Sequence, residues 1–314
     1  MLKILLDTDT AGDDTIAIMM ALRAANAKLE GITINCGNIR FDQEVENALY
    51  TIQVAGMSEK VPVYPGARHP IVKEWTTVEH IHGKYGMGDS HFPKARQRPE
   101  KKHAADAIVE TINSEPGEIT LVEIAPMTNL ALAIRKDPSI AKKVKRFHFM
   151  GGTNHYPGNV TPAAEFNIWV DPEAAKIVLD SGMPTTMVGW EICMKYGLIG
   201  APEYAKIEAM ETPESEFFLA VNAQVRRYMR ETTGIDATNC PDSMTMAIVL
   251  NPRVAVEVRK RFVSVDTSDG VSRGATIVDR MNVLGRRTNV SAVYVSSQEL
   301  FRRMLYRVLS GKRA

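Results

Sequence analysis

Residues 3–20 read Lys3-Ile4-Leu5-Leu6-Asp7-Thr8-Asp9-Thr10-Ala11-Gly12-Asp13-Asp14-Thr15-Ile16-Ala17-Ile18-Met19-Met20. An apolar run of strand length ends in alternating carboxylates, a glycine-containing turn follows, and Asp13-Asp14 then opens an apolar run long enough for a helix. Four Asp within eight residues at a strand-to-helix junction are costly to fold unless something positive sits among them. In a parallel α/β sheet that junction is the carboxyl end of a strand, where ligands bind. A hard divalent cation, Ca²⁺ or Mg²⁺, removes the repulsion through oxygen ligands. Period two puts Asp7 and Asp9 on one side of the strand. Asp13 and Asp14, adjacent at a helix start, point in different directions, so that one can hold a metal while the other faces a substrate. Capping and surface charge account for one or two such residues, not for all of them.

Strand and helix signals alternate from this stretch onward. Asp13 to Ala25 reads as a helix whose first-turn carboxylates suit its dipole. Leu29 to Asn35 reads as a second strand ending in Cys36-Gly37-Asn38. Asp42 is expected to cap a helix of mixed face running to Gly56, and Val61 to Tyr64 forms a short strand. Residues 65–102 lose periodicity and carry His69, His80, His82 and His91 among glycines and prolines. A loop of this length inside a compact domain is functional or mobile as a rule, and its composition predicts a lid.

The pattern then resumes. His103–Ser114 reads as a helix, Ile119–Ile124 as a strand, Thr128–Lys136 as a helix and Val144–Met150 as a strand. A second irregular loop, Thr153–Ala164, follows. In Glu165-Phe166-Asn167-Ile168-Trp169 strand alternation sends Glu165 and Asn167 one way and Phe166 the other. Asp171-Pro172 caps and starts a helix, and Pro184–Val188 is a further strand. Helices are expected over about 200–211, 213–231 and 242–250, then a β-rich section (Val254–Val265, Ala275–Val278, Val290–Val295) and a C-terminal helix. With no break in composition, residues 1–314 are expected to form a single α/β domain. Its core is an open, mostly parallel, Rossmann-like sheet flanked by helices, with an added helical and β section toward the C-terminus.

The chain has 314 residues, 45% hydrophobic and 24% charged, as a soluble globular protein does. A net charge of +1 leaves no basic footprint for nucleic acid. Three widely spaced cysteines, Cys36, Cys193 and Cys240, suggest a reducing compartment and form no zinc pattern. No apolar run approaches a membrane span, and no signal peptide precedes the first strand. The expectation is a cytoplasmic protein with neither a membrane nor a nucleic-acid partner.

Asp7-Thr8-Asp9-Thr10-Ala11-Gly12-Asp13-Asp14 resembles the DxDxxxDD signature of the inosine–uridine-preferring nucleoside hydrolase family. Gly31-Ile32-Thr33 to Gly37-Asn38, Ile81-His82-Gly83, Ala125-Pro126-Met127-Thr128-Asn129-Leu130, Met150-Gly151-Gly152, Glu165-Phe166-Asn167-Ile168-Trp169 and Asp171-Pro172-Glu173-Ala174-Ala175 follow in the family's order. Cys240-Pro241-Asp242 lies where a late metal-binding Asp belongs. The resemblance extends over essentially the whole chain.

It implies a Ca²⁺-dependent enzyme that hydrolyses the N-glycosidic bond of ribonucleosides. Asp9, Asp14 and Asp242 would bind Ca²⁺ through side chains and Ile124 through its carbonyl, with ribose hydroxyls and water completing a shell of roughly six to eight oxygens. Asp9 would also take a proton from the attacking water. Asp13 would hold a ribose hydroxyl, Asn38 and Asn167 would position the sugar, and Asn159 and Glu165 would take its 5′-hydroxyl. Family members are commonly homodimers or homotetramers.

Several of these residues also have plainer readings. Asn38 and Asn159 can be turn residues, and His82 is either a base or sugar contact, with a part in catalysis, or a loop histidine. Trp190 serves equally as core packing or as a stacking surface for the base, and Tyr228 is a second candidate for that stacking. Three positions depart from the family. Thr10-Ala11 replaces Pro-Gly, Ala125 replaces Gly, and Pro241 stands where other members carry His or Trp. Proline has no proton to donate and no π face, so a donor must come from elsewhere (His82, His155, Tyr228 or water). Two other readings remain open: a nucleoside-binding protein without turnover, and a phosphatase of the haloacid dehalogenase type, which also begins with a strand ending in DxD.

Overall fold

In β1 (Leu2–Thr8), Ile4 and Leu6 belong to one apolar cluster and Leu5 to another. The strand is therefore buried on both faces, as parallel strands covered by helices are. The structure, a computed structural model, describes residues 1–312. β1 leads into α1 (Gly12–Arg23), then β2 (Ala27–Ile34), α2 (Phe41–Val54), β3 (Val63–Pro65) and the short α3 (Glu79–His82). Next come α4 (Ala104–Ser114), β4 (Ile119–Glu123), α5 (Thr128–Lys136), α6 (Ile140–Lys143) and β5 (Arg146–Met150). These are followed by α7 (Phe166–Val170), α8 (Pro172–Asp180), β6 (Thr185–Val188), α9 (Trp190–Tyr196), β7 (Leu198–Gly200), α10 (Ala201–Glu208), α11 (Pro213–Thr233) and β8 (Ala237–Asn239). The chain closes with α12 (Pro241–Leu250), β9 (Ala255–Val265), β10 (Thr276–Asp279), β11 (Val290–Ser296) and α13 (Gln298–Leu309).

Nine strands form one sheet in the order β10-β9-β11-β6-β5-β4-β1-β2-β3, and β7-β8 forms a separate antiparallel pair. β1 through β6 are parallel, and so is the β11–β6 pairing, whereas β9 is antiparallel to both β10 and β11. From β1 the chain winds outward through β2 and β3 on one side, then returns to β4 on the other. The boundary between β1 and β4 is thus a topological switch point, where the loops leaving adjacent strands part and open a crevice. The apolar side chains of α1, α2, α11, α12 and α13 pack on one face of the sheet, and those of α4, α5, α6 and α8 on the other.

The added C-terminal strands extend the same sheet, with β11 pairing with β6. Two expectations are corrected. Asp42 lies in the first turn of α2 and Arg40 is its N-cap residue. Residues 166–170 form helix α7 instead of a strand, because the Glu165 side chain accepts the N–H groups of Asn167 and Ile168 and caps that turn.

Asn129, at the start of α5, ties the switch point together. Its Nδ2 donates to Asp7 Oδ1 (3.0 Å) and to the Ile34 carbonyl (2.9 Å), and its Oδ1 accepts from Ala67 N–H (2.8 Å). Removing these partners leaves buried polar groups unmade, so Asn129→Ala should cost about 2–4 kcal/mol by chemical denaturation. A change below about 0.5 kcal/mol would contradict this role.

Candidate active site

The carboxyl ends of β1, β4 and β5 open into a cavity of about 590 Å³, large enough for a small-molecule ligand. Asp13, Asn38, Ile124, Asn159, Glu165, Asn167 and Asp242 line it toward the sheet. His80, Ile81 and His82 of the long loop, Trp190 of α9, Tyr228 of α11 and Pro241 of α12 line the other side. Of the site residues expected from the sequence, Asp9, Asp14 and the candidate donor His155 do not line the cavity and the others do; Asp9 and Asp14 are fully buried behind Asn38.

The carboxylates are positioned by their own hydrogen bonds. Asp9 Oδ2 accepts the Asn38 N–H (3.0 Å), while Asp9 Oδ1 is buried and has no partner. Asp14 accepts from Thr8 Oγ1 (2.6 Å), from the Ala11 N–H (3.2 Å) and from Asn38 Nδ2 (3.4 Å). Asp13 caps a distant helix: its Oδ2 accepts the N–H groups of Asp242 (2.8 Å) and Ser243 (2.9 Å), and its Oδ1 accepts the Ser243 hydroxyl (2.7 Å). A carboxylate at a helix N-terminus is stabilised by the unpaired N–H groups and the dipole. This contact brings Asp242 to the opening stretch.

Glu165 accepts from the N–H groups of Gly152 (2.8 Å) and Asn167 (3.0 Å), and Asn167 Nδ2 donates to the carbonyls of Met150 (3.2 Å) and Ile124 (3.4 Å). Asn159 Oδ1 accepts the Phe166 N–H (2.8 Å). Sequence reasoning missed Thr8, Ser243 and Glu44. Glu44 is fully buried in α2, accepts the Ile39 N–H and leaves Oε2 without a partner. The signal was its place on the apolar stripe with Ala48 and Ile52, one helical turn apart each.

Six buried acids thus share this region, and among the described residues none of them makes a salt bridge. Burial is the first cause of their raised pKa values, which stand at about 6 for Asp13 and about 7 for Asp14 and Glu165. Asp9, Glu44 and Asp242 are pushed well above the usual range, and Asp14 repels each of them in turn. The donor chemistry, anionic oxygens with an orphaned Asp9 Oδ1 and no cation nearby, suits a hard divalent ion. Among the described residues no three His, Cys, Asp or Glu side chains are grouped so that they could hold a metal ion by themselves.

On the other side of the cavity, burial and the neighbouring His80 lower His82 to about 4, and its enclosed Nδ1 has no partner. The ring is neutral at physiological pH. Trp190 is partly buried at the start of α9, and Tyr228 meets the His80 ring edge-on at 5.9 Å between centroids. His155 does not line the cavity. The loop expected to be a lid is anchored: the Gly12 N–H donates to the Gly86 carbonyl and the Val78 N–H to the Asn38 carbonyl.

An acid-lined cavity at the switch point of a mostly parallel sheet is where an α/β protein binds a small polar ligand. The chain belongs to the inosine-uridine preferring nucleoside hydrolase family, whose model matches residues 4–303. It is 34% identical over 288 residues, 91% of this chain and 90% of the relative, to the pyrimidine-specific ribonucleoside hydrolase RihB of Escherichia coli strain SE11. Its fold is similar to that of the plant nucleoside hydrolase PpNRh1, with TM-score 0.93 and 30% identity over 98% of this chain and 99% of that one. It is also similar to a purine-preferring ribonucleoside hydrolase from Gardnerella vaginalis, with TM-score 0.91 and 29% identity over 98% of each chain. The protein is an enzyme that cleaves the N-glycosidic bond of nucleosides, releasing base and sugar. The readings as a phosphatase and as a binder without turnover are set aside. No helix among the described residues is long and apolar enough to cross a membrane.

Gly37 gives a direct test of the site's geometry, because a Cβ there would lie 1.9 Å from Asp9 Oδ2. Gly37→Ala should lower kcat/KM for nucleoside hydrolysis by about 10²-fold in protein that still unfolds cooperatively. An undiminished rate would show that the placement of Asp9 is immaterial.

Proposed function

We propose that this cavity hydrolyses ribonucleosides with the help of a Ca²⁺ ion held by the side chains of Asp9, Asp14 and Asp242 and the carbonyl of Ile124. The observation that carries the reading is Asp9 Oδ1, a buried carboxylate oxygen without a partner in a cluster of acids that make no salt bridge among the described residues. When bound, such an ion neutralises the cluster and makes a water more acidic. Asp9 Oδ1 is the free acceptor for the proton that the attacking water gives up.

The other residues bind and orient. Asp13 Oδ2 is filled by two N–H groups of α12, whereas Oδ1, which accepts the Ser243 hydroxyl, keeps a lone pair for a ribose hydroxyl. Asn38 and Asn167, fixed by their bonds to Asp9, Asp14 and the Ile124 and Met150 carbonyls, orient the sugar. Asn159 Nδ2 and Glu165 take the 5′-hydroxyl. Carboxylates around the ribose favour the oxocarbenium-like charge that develops as the glycosidic bond breaks. Trp190 and Tyr228 flank the base, and neutral His82 acts as a hydrogen-bond partner rather than a proton reserve.

We assign the enzyme to the cytoplasm and to salvage of nucleosides. We also assign it a homodimeric or homotetrameric assembly, for which exposed Met281, Val283 and Leu284 beside the edge strand β10 supply apolar surface.

The test is ribose release from a panel of purine and pyrimidine ribonucleosides with Ca²⁺ present and after chelation. Chelation should abolish release and Ca²⁺ restore it. Asp9→Asn should reduce kcat by about 10⁴-fold. Full activity in chelator, or near-parent turnover by Asp9→Asn, would overturn the reading.

A further inference from the structure

Pro241 begins α12 at the cavity wall and has no N–H or side-chain donor. Cys240 before it is fully buried, with its thiol directed to Asp13. The next residue upstream, Asn239, ends β8, lines the same cavity and is 9% exposed. Its carboxamide makes no hydrogen bond within the described residues. Its carboxamide atoms are not among the buried polar atoms without a partner, so they reach the open space of the cavity, where a ligand or water meets them.

The position of Asn239 decides which part of the substrate it meets. β8 pairs with β7 next to α9 and packs on α11, whereas the groups proposed to hold the sugar stand at the start of α1 (Asp13), after β2 (Asn38), in the loop after β5 (Asn159) and at α7 (Glu165, Asn167). Asn239 therefore belongs to the end of the cavity left for the base. Its polar neighbours on α11 are already committed. Asn222 Nδ2 donates to the Phe218 carbonyl, and the Thr232 and Thr233 hydroxyls donate to the carbonyls of Tyr228 and Met229. Asn239 keeps both a donor and an acceptor on one plane, the pattern that pairs with the adjacent ring nitrogen and exocyclic group of a nucleobase.

We propose that Asn239 is a base-recognition residue whose carboxamide hydrogen-bonds the heterocycle edge and supplies, from Nδ2, the donor that Pro241 lacks. The proposal rests on the sugar-end assignment made above. As the C1′–N bond breaks, its electron pair goes to the base, water gives its hydroxyl to C1′ and its proton to Asp9, and the departing base takes up a proton from solvent. The Asn239 N–H lowers the charge on that base without transferring a proton itself.

The experiment compares uridine and inosine with 4-nitrophenyl β-D-ribofuranoside, which has the same sugar but a phenolate leaving group without that edge. In Asn239→Leu, and in the isosteric Asn239→Asp, the ratio of kcat/KM for nucleoside to that for the nitrophenyl riboside should fall about 10- to 100-fold. A ratio within about 2-fold of the parent value, whether both activities persist or fall together, overturns the proposal. A parent enzyme that releases ribose from none of the three overturns the hydrolytic reading instead.

Discussion

The contact between Asp13 and the first turn of α12 is the constraint on which the site depends. One carboxylate accepts two backbone N–H groups and a hydroxyl from residues 229 and 230 positions away, and it does so with its own helix start beside theirs. Two helix N-termini converge there, and their positive ends partly offset the negative charge gathered around them. Without this clamp Asp242 has no reason to stand near Asp9 and Asp14, and the acids of the opening stretch would be an isolated surface feature. The residual charge is the second half of the constraint, because partial helix charges cannot neutralise six acids.

The sheet explains why the cluster sits where it does. β1 is flanked by β2 and β4, and the loops that follow these strands run in opposite directions from the switch point. Asp9 and Ile124 leave adjacent strands there, while Gly37 approaches so closely that any side chain would collide with Asp9. In the proposed reading the sugar end is set by strand termini and the helix starts beside them, and the base end is left to α9, α11, β8 and the 78–88 loop.

Much of this was legible in the sequence because it depends on local pattern. The alternation of apolar runs with helical stretches gave the parallel core, and the spacing of Asp7, Asp9, Asp13 and Asp14 pointed to a buried charge problem. What escaped notice depends on contacts distant in sequence or on elements too short for a period. Helix α7 has five residues, fewer than two turns, so the alternation of Glu165, Phe166 and Asn167 resembled a strand until the Glu165 side chain was seen capping the turn. The C-terminal strands carried strand character but no sign of which edge they would join. Asp13 was expected to serve the sugar alone, and nothing near it in sequence announced Ser243. Glu44 looked like one member of a mixed helix face, although it shares the stripe of Ala48 and Ile52. Asn239 carried no motif at all, and its interest comes from an unpartnered carboxamide beside a proline.

The central claim is that the buried acids are held for a divalent cation. Burial keeps Asp14 and Glu165 at about 7 and Asp13 at about 6, so the cation-free protein carries protons there that an ion must displace. Calorimetric titration of the chelator-treated protein with Ca²⁺, in buffers of different ionisation enthalpy at pH 6, 7 and 9, measures that displacement. The account predicts stoichiometric binding that tightens as pH rises, with protons released at pH 6 and 7. The absence of binding, or binding that releases no protons at any pH, would contradict it.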